Sequence, residues 1–145
     1  MRLPITVTRV HPNAEIPVYA TPGAIGFDLP LIEDVTIPAH QSIKTRTGLV
    51  FCVPEGYGLF IFARSSTFGK TGLKLTNSVG VIDQDYCGPE DELHVPLHNQ
   101  TDVDIVLQKG TRLAQGVFLP VGIGEFVEGI PKQSISRGGF GTTGA

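Results

Sequence analysis

Glycine and proline recur along the whole chain, and their distribution restricts the possible folds more than any other feature. The 145 residues include 18 glycines and 11 prolines, and both types are unfavourable inside helices. Between them lie short segments of alternating apolar side chains, such as Tyr57–Ala63 and Leu113–Val121. We therefore predict an all-β fold, a sandwich or barrel such as a jelly roll, with at most one short helix near Ser65–Lys70.

Composition and charge exclude several classes of protein. The net charge of −3 and the absence of basic runs argue against a nucleic-acid partner. The apolar runs, of which Leu59–Ala63 is an example, are too short to span a bilayer, which takes about 20 residues. The segment Met1–Pro4 does not resemble a secretion signal, so we expect a protein that is not secreted and is cytoplasmic, or alternatively nuclear or intracellular in a viral host. Cys52 and Cys87 are far apart and indicate neither a zinc site nor a disulfide scaffold.

The stretch Gly80–Gly88 is the most informative part of the chain. Val81 and Ile82 favour a strand, an acidic turn follows, and we expect a second strand to complete a hairpin. Its tip carries Asp83 and Tyr86. By itself this stretch is equally typical of an ordinary surface turn, where aspartate bonds to the local backbone.

Four further stretches contain side chains that could contact a ligand, although each also has an ordinary structural explanation. Arg64–Ser66 ends the most apolar strand with a guanidinium and two hydroxyls, which suit an anion. Asp28 follows a glycine-rich turn, and Gln115 is an amide within an apolar strand. The segment Arg137–Gly144 holds one arginine and Phe140 among glycines, which would allow it to close over a ligand.

Together these five stretches resemble, in order and separation, the five motifs of the trimeric dUTP pyrophosphatases, or dUTPases. The resemblance runs from about Pro22 to Gly144. It implies a jelly-roll homotrimer with a catalytic domain over residues 1–133 and a flexible arm over 134–145 that crosses to a neighbouring active site. It also implies hydrolysis of dUTP to dUMP and pyrophosphate with Mg²⁺, which keeps uracil out of DNA and supplies dUMP.

The resemblance assigns roles to individual residues. Asp83 matches the general base that activates water, and Tyr86 matches the ring that packs on deoxyribose. Asp28 matches the carboxylate that holds metal-bound waters. The remaining expected substrate contacts are with uracil (Asn77, Gly80, Val81 and Ile82), with the phosphates (Arg64, Ser65, Ser66, Gln115 and Arg137) and with the base from above (Phe140).

Three features depart from the pattern of the family. The spacing from Arg137 to Phe140 is shorter than usual, and Cys87 occupies a position where a basic or polar residue is more usual. The insertion Pro89–Asp91 lengthens the loop after Gly88. Because this loop changes which residue faces the substrate, we expect His94 to line the site.

Two alternatives stay open at the level of sequence. A deaminase acting on dCTP would share an Arg-Ser-Ser stretch, but it would need a catalytic glutamate in a Thr-Leu-Glu-Leu type strand, and this chain has no such segment. A non-catalytic jelly-roll binding protein would show no nucleotide turnover.

Overall fold

The computed structural model describes residues 2–142 and 144. Within this part of the chain we find eleven strands and one helix of five residues. Their bounds are β1 (Thr6–Arg9), β2 (Phe27–Pro30), β3 (Val35–Ile37), β4 (Ser42–Arg46), β5 (Leu49–Cys52), β6 (Tyr57–Ala63), α1 (Thr67–Thr71), β7 (Leu73–Leu75), β8 (Gly80–Ile82), β9 (His94–Asn99), β10 (Ile105–Leu107) and β11 (Arg112–Pro120).

The strands form four small antiparallel sheets. Their strand orders are β1-β5, β3-β10, β2-β11-β6-β8 and β4-β9-β7. The sheets do not close into a continuous barrel, so the fold is jelly-roll-like with open edges. The expected class, all-β with one short helix, is confirmed.

The core lies between the inner faces of these sheets. Leu59, Leu73 and Leu97 are completely buried, and each full burial of a leucine contributes roughly 1.5–3 kcal/mol. Phe27 stacks between Phe51 and Phe118, with ring centroids 5.7 Å apart in both pairs. The alternation of apolar residues predicted these inward faces, because successive side chains of a strand point to opposite sides.

The central strand β6 differs on its two faces. Leu59 and Ile61 are buried in the core, whereas Phe60 and Phe62 on the opposite face are only half-buried. Within one chain, the second face of this strand is therefore only partly covered.

The predicted hairpin over Gly80–Gly88 is wrong in its second half. Only Gly80–Ile82 is a strand, and it pairs with β6 instead of with a following strand. A turn closes after it through the bond from the Tyr86 N–H to the Asp83 carbonyl, 3.3 Å. The inserted segment then forms a second turn, in which the Asp91 carboxylate accepts the Gly88 N–H at 2.7 Å. These two turns use the backbone groups that a second strand would need.

After β11 the chain continues from 121 to 142 without a helix or strand. Large apolar side chains along this segment are almost fully exposed, among them Phe126 and Ile130. In the described residues, no helix has the length and apolar character needed to cross a membrane.

Candidate active site

A cavity of about 290 Å³ lies where β8 and the turn after it meet β9. It gathers six of the residues expected to contact substrate, together with four that were not expected. The former are Asn77, Val81, Ile82, Asp83, Tyr86 and His94, and the latter are Lys44, Glu92, Leu93 and Pro96. Gly80 is buried at the start of β8, where an added Cβ would press on Ile61 at 3.0 Å.

Glu92 is a buried carboxylate at the base of this cavity. Arg46 holds it through Nη2 at 2.9 Å and Nε at 3.2 Å, and the Gly48 N–H donates to it at 2.7 Å. Burial alone would raise the pKa of Glu92, but these bonds and the nearby charges of Arg46 and His94 outweigh it and lower the pKa. The same bond to Glu92 raises the pKa of Arg46. The pair is therefore ionised at neutral pH.

The backbone carbonyl of Glu92 orients two side chains that face the cavity. It accepts the Tyr86 hydroxyl at 3.2 Å and the His94 Nδ1–H at 2.8 Å. Sequence reasoning missed Glu92, although a glutamate directly before the buried Leu93–Leu97 segment was a possible signal. Glu92 therefore holds the Tyr86 and His94 side chains in place on the wall of the cavity.

Asn77 reaches the cavity from the turn between β7 and β8. Ser78 in this turn adopts a positive φ of 63°, which is uncommon for a residue with a side chain. The Val79 N–H bonds to the Asn77 carbonyl at 2.7 Å, and the Ser78 N–H bonds to the Leu75 carbonyl at 3.2 Å. The turn therefore presents the Asn77 amide at the rim while its backbone is held in place.

A second polar cluster lies at the other end of β6. The Arg64 Nε is 2.9 Å from Oδ1 of Asp28, and Arg112 Nη1 is 3.7 Å from its Oδ2. Arg64 also donates to the Arg112 carbonyl at 3.2 Å. Arg112 was not predicted, although it lies in the same short stretch as Gln115.

Gln115 joins this cluster because β11 lies between β2 and β6. Its register pairs it with Asp28 on one side and with Phe62 on the other. The Gln115 amide donates to the Ala63 carbonyl at 3.1 Å. A Cβ at Gly26 would overlap the Gln115 amide oxygen, so any other residue there would displace the end of the Gln115 side chain. This contact is a physical reason for the glycine before the Asp28 strand.

The two serines of the Arg64–Ser66 stretch precede helix α1. Ser65 is exposed and Ser66 is half-buried. Ser66 occupies the position before the helix, but its hydroxyl makes no capping bond. Instead, Thr67 anchors the helix through a bond from its hydroxyl to the Leu113 carbonyl, 2.7 Å.

Arg137 and Phe140 lie apart from both clusters. Neither is among the residues that line the 290 Å³ cavity, and Phe140 is completely exposed. Within one chain, the structure therefore brings together two sets of the predicted residues and leaves the arm residues outside them.

The described residues contain no group of three or more histidine, cysteine, aspartate or glutamate side chains that could hold a metal ion. Mg²⁺ is commonly bound by one or two carboxylates together with water and substrate phosphates. Asp28 is a carboxylate that lies beside two guanidinium groups, those of Arg64 and Arg112.

Comparison with known proteins identifies the family. A family model described as dUTPase matches residues 12–144. The chain belongs to the dUTPase family. It is thus an enzyme that hydrolyses dUTP, a dUTP diphosphatase, and the predicted membership of this family is confirmed. Membership also favours hydrolysis over the deaminase and binding-protein alternatives.

Curated relatives match this dUTPase over nearly its full length. The deoxyuridine 5'-triphosphate nucleotidohydrolase of Desulfitobacterium hafniense is 44% identical over 149 residues, covering 99% of this chain and 97% of the relative. The protein of the same name from Wolinella succinogenes is 39% identical over 145 residues, covering 99% and 95%.

Solved structures show the same fold. The dUTPase of Staphylococcus bacteriophage 80alpha with dUPNHPP superposes with a TM-score of 0.87 at 23% identity, covering 98% of this chain and 99% of that chain. The dUTPase of Streptococcus mutans superposes with a TM-score of 0.77 at 34% identity, covering 83% and 98%.

Proposed function

We propose that Asp83 is the general base of this dUTPase and that the 290 Å³ cavity binds the deoxyuridine. The observation that supports this most directly is that one cavity contains the Asp83 carboxylate, the Tyr86 ring and the exposed edge of β8. Asp83 is exposed at the mouth, where it can accept a proton from water. A positioned carboxylate of this kind contributes roughly 10²–10⁴-fold to the rate.

Tyr86 and the turn before β8 would select the nucleoside. The Tyr86 hydroxyl is held by the Glu92 carbonyl at 3.2 Å, which supports a fixed position for the ring. In this proposal the ring would pack on the sugar and leave no room for a 2′-hydroxyl. The Asn77 amide and the backbone of Gly80–Ile82 would read the uracil edge. His94, held by the same carbonyl at 2.8 Å, would complete this wall.

The cluster at the far end of β6 would bind the triphosphate. Arg64 offers a planar fork of donors, and Ser65, Ser66 and Gln115 add neutral donors. Asp28 would hold Mg²⁺ through water while the phosphates supply its direct ligands. When bound, Mg²⁺ neutralises charge on the phosphates and assists the leaving pyrophosphate. Arg64 is paired with Asp28 through Nε at 2.9 Å, so it would bind a phosphate oxygen either through its other guanidinium N–H groups or by exchanging that bond.

The separation of the two clusters supports a homotrimer. Ile82, which is next to Asp83, pairs with Leu59 on β6. Arg64 lies five residues after Leu59, a distance of roughly 17 Å at about 3.3 Å per residue. One chain by itself therefore does not bring Asp83 and Arg64 to the same phosphate. Neighbouring copies in a trimer would combine the nucleoside cavity of one chain with the phosphate cluster of another.

The outer face of the β2-β11-β6-β8 sheet offers a surface for this assembly. It presents apolar side chains that are half-buried or exposed, namely Phe60, Phe62, Val81, Val117 and Leu119. A sheet face of this composition is more typical of a subunit contact than of a solvated surface. Packing of identical copies would bury it.

The C-terminal arm would close over a site of a neighbouring copy. Phe140 is fully exposed, and the apolar side chains of the preceding segment are also exposed, so one chain provides them with no cover. In the assembled enzyme, Arg137 would contact phosphate and Phe140 would cover the base. The domain boundary at 133/134 and a cytoplasmic location stay predictions.

The test of this mechanism is turnover of dUTP with Mg²⁺, scored as pyrophosphate, with dCTP, dTTP and UTP each assayed separately as controls. We expect pyrophosphate from dUTP alone and no ammonia from dCTP. Asp83→Asn should lower kcat by roughly 10²–10⁴-fold while nucleotide binding persists, because the variant loses a proton acceptor and keeps its shape.

Asp85→Asn is the matched control for Asp83→Asn. Asp85 is an exposed carboxylate in the same turn, but it does not line the cavity. Its variant should retain wild-type kcat. Full activity of Asp83→Asn, or an equal loss in both variants, would remove Asp83 from its proposed role.

Deleting 134–145 tests the arm separately. We expect a large fall in kcat with little change in melting temperature, because the described part of this segment forms no strand or helix. A large fall in melting temperature would instead mean that the arm is a structural element. The melting curve is recorded at the same protein concentration for both forms.

A further inference from the structure

The loop between β8 and β9 carries the Tyr86 ring, and its two turns close on themselves. The Tyr86 N–H donates to the Asp83 carbonyl at 3.3 Å, and the Gly88 N–H donates to the Asp91 carboxylate at 2.7 Å. Such internal bonds fix the shape of each turn but not the position of the loop relative to the sheets. That position depends on where the loop is attached, and its attachment next to β9 is Glu92.

The two ends of this loop are attached in different ways. Near β8, the Gln84 side chain donates to the Tyr57 carbonyl at 3.0 Å. Near β9, the Glu92 carboxylate accepts Arg46 Nη2 at 2.9 Å and Nε at 3.2 Å, together with the Gly48 N–H at 2.7 Å. Only 10% of the Glu92 side chain is exposed, so little water competes for these bonds. The end at Glu92 is therefore held by a charged and shielded network.

Arg46 supplies the positive charge of this network. It is the last residue of β4 and lies opposite His94 on β9. Its planar guanidinium meets the carboxylate with paired N–H groups, a geometry that the ammonium of lysine does not reproduce. Arg46 is not among the residues that line the 290 Å³ cavity. Any effect of Arg46 on the substrate therefore passes through Glu92.

We propose that Arg46 is a positioning residue of this dUTPase, which fixes the Tyr86 ring through Glu92 and so increases the preference for a deoxyribose over a ribose nucleotide. The link is the Glu92 carbonyl, which accepts the Tyr86 hydroxyl at 3.2 Å while Arg46 holds the carboxylate of the same residue. The insertion Pro89–Asp91 increases the need for this anchor, because a longer loop is less restrained by its ends. The sugar preference rests on the proposed role of Tyr86, whereas the restraint of the ring does not.

The first experiment is a double-mutant cycle on the assembled enzyme, with kcat/KM measured separately for dUTP and UTP. Arg46→Lys should lower the dUTP/UTP ratio of kcat/KM, within the roughly 2- to 10-fold expected of Tyr86→Phe, because lysine keeps the charge but not the paired N–H groups. In the Tyr86→Phe background the same change should not lower the ratio further, since the bond through which Arg46 acts is already absent. An effect through His94, which the same carbonyl holds, would act on the base of both nucleotides and cancel in the ratio.

A second variant, Arg46→Met/Glu92→Gln, removes both charges and leaves no buried carboxylate without a cation. It retains the carbonyl of residue 92 and an oxygen for the Gly48 N–H. We expect its dUTP/UTP ratio to fall at least as far as that of Arg46→Lys. Lys74→Gln is the control, because Lys74 is an exposed cation on β7 of the same sheet and does not line the cavity. Its ratio should equal that of the wild type.

Fluorine NMR of the protein labelled with fluorotyrosine provides a readout that needs no nucleotide. The chain has three tyrosines, and the Tyr86→Phe variant identifies the resonance of Tyr86. In Arg46→Lys and in Arg46→Met/Glu92→Gln we expect this resonance to shift, whereas those of Tyr19 and Tyr57 should not. Lys74→Gln should leave all three resonances unchanged.

Several results would overturn the proposal. These are a Tyr86 resonance that is the same in the wild type and both Arg46 variants, or effects of Arg46→Lys and Tyr86→Phe on the ratio that add. A lower melting temperature with an unchanged ratio would assign Arg46 a structural role alone. If the Arg46 variants shift the resonance but Tyr86→Phe leaves the ratio unchanged, the restraint of the ring is supported and the proposed role of Tyr86 in sugar selection fails.

Discussion

Replacing Glu92 with alanine should lower the free energy of unfolding, because it removes the partner of a buried hydrogen-bond donor. The Gly48 N–H is buried and donates to the Glu92 carboxylate at 2.7 Å, and in Glu92→Ala this donor loses its partner. A buried donor without a partner costs about 1–3 kcal/mol. For a chain of this length, this loss corresponds to a fall in melting temperature of roughly 3–10 °C.

Glu92→Gln separates this hydrogen bond from the charge. The glutamine keeps an oxygen for the Gly48 N–H, so it should be more stable than Glu92→Ala, but it loses the ion pair with Arg46. Because the folded-state pKa of Glu92 is lowered, the carboxylate stabilises the fold above its unfolded-state pKa. This stabilisation is lost as pH falls through the folded-state pKa. The difference in free energy of unfolding between wild type and Glu92→Gln should therefore be largest at neutral pH and disappear in acid.

The assay is thermal or denaturant unfolding of the wild type and both variants across this pH range, at one protein concentration. Glu90→Gln is the control, because Glu90 is exposed in the same loop. The reasoning is refuted if Glu92→Ala is as stable as wild type. It is also refuted if the gap between wild type and Glu92→Gln stays constant down to acid pH.

Two further variants test the nucleoside cavity and the phosphate cluster. Tyr86→Phe keeps the ring but loses the bond to the Glu92 carbonyl, which contributes about 0.5–1.5 kcal/mol. The preference for dUTP over UTP in kcat/KM should then fall roughly 2- to 10-fold, and an unchanged ratio would contradict the fixed-ring argument. Gly26→Ala should raise KM for dUTP by displacing the Gln115 amide, whereas Gly23→Ala, where a Cβ meets no atom within 4 Å, should not. Equal KM values for dUTP in both glycine variants would show that the contact between position 26 and the Gln115 amide does not affect substrate binding.

The sequence predicted the features that depend on neighbouring residues. Alternation of apolar side chains identified most of the strands, and the Gly80–Tyr86 stretch predicted several residues that share the cavity. Their individual roles stay predictions. The hairpin failed because the Pro89–Asp91 insertion makes its own turn, closed by the Asp91 carboxylate, and local strand propensity does not register such a bond.

Contacts between distant parts of the chain could not be predicted in this way. The pairing of Arg46 with Glu92 depends on the register of β4 against β9, where Arg46 lies opposite His94. A shift of one residue would turn Arg46 to the other face of the sheet.

The phosphate cluster shows why such long-range contacts matter for function. An anionic triphosphate would compete with Asp28 for Arg64, and the loss of Arg64 would leave a partly buried carboxylate without its closest cation. Arg112 already lies 3.7 Å from the other oxygen of Asp28. Since the carboxylate keeps a positive neighbour in either arrangement, the exchange of partners by Arg64 costs less than the breaking of an isolated ion pair. The strand pairing of β2 with β11 thus supplies a cation that the Arg64–Ser66 stretch does not itself contain.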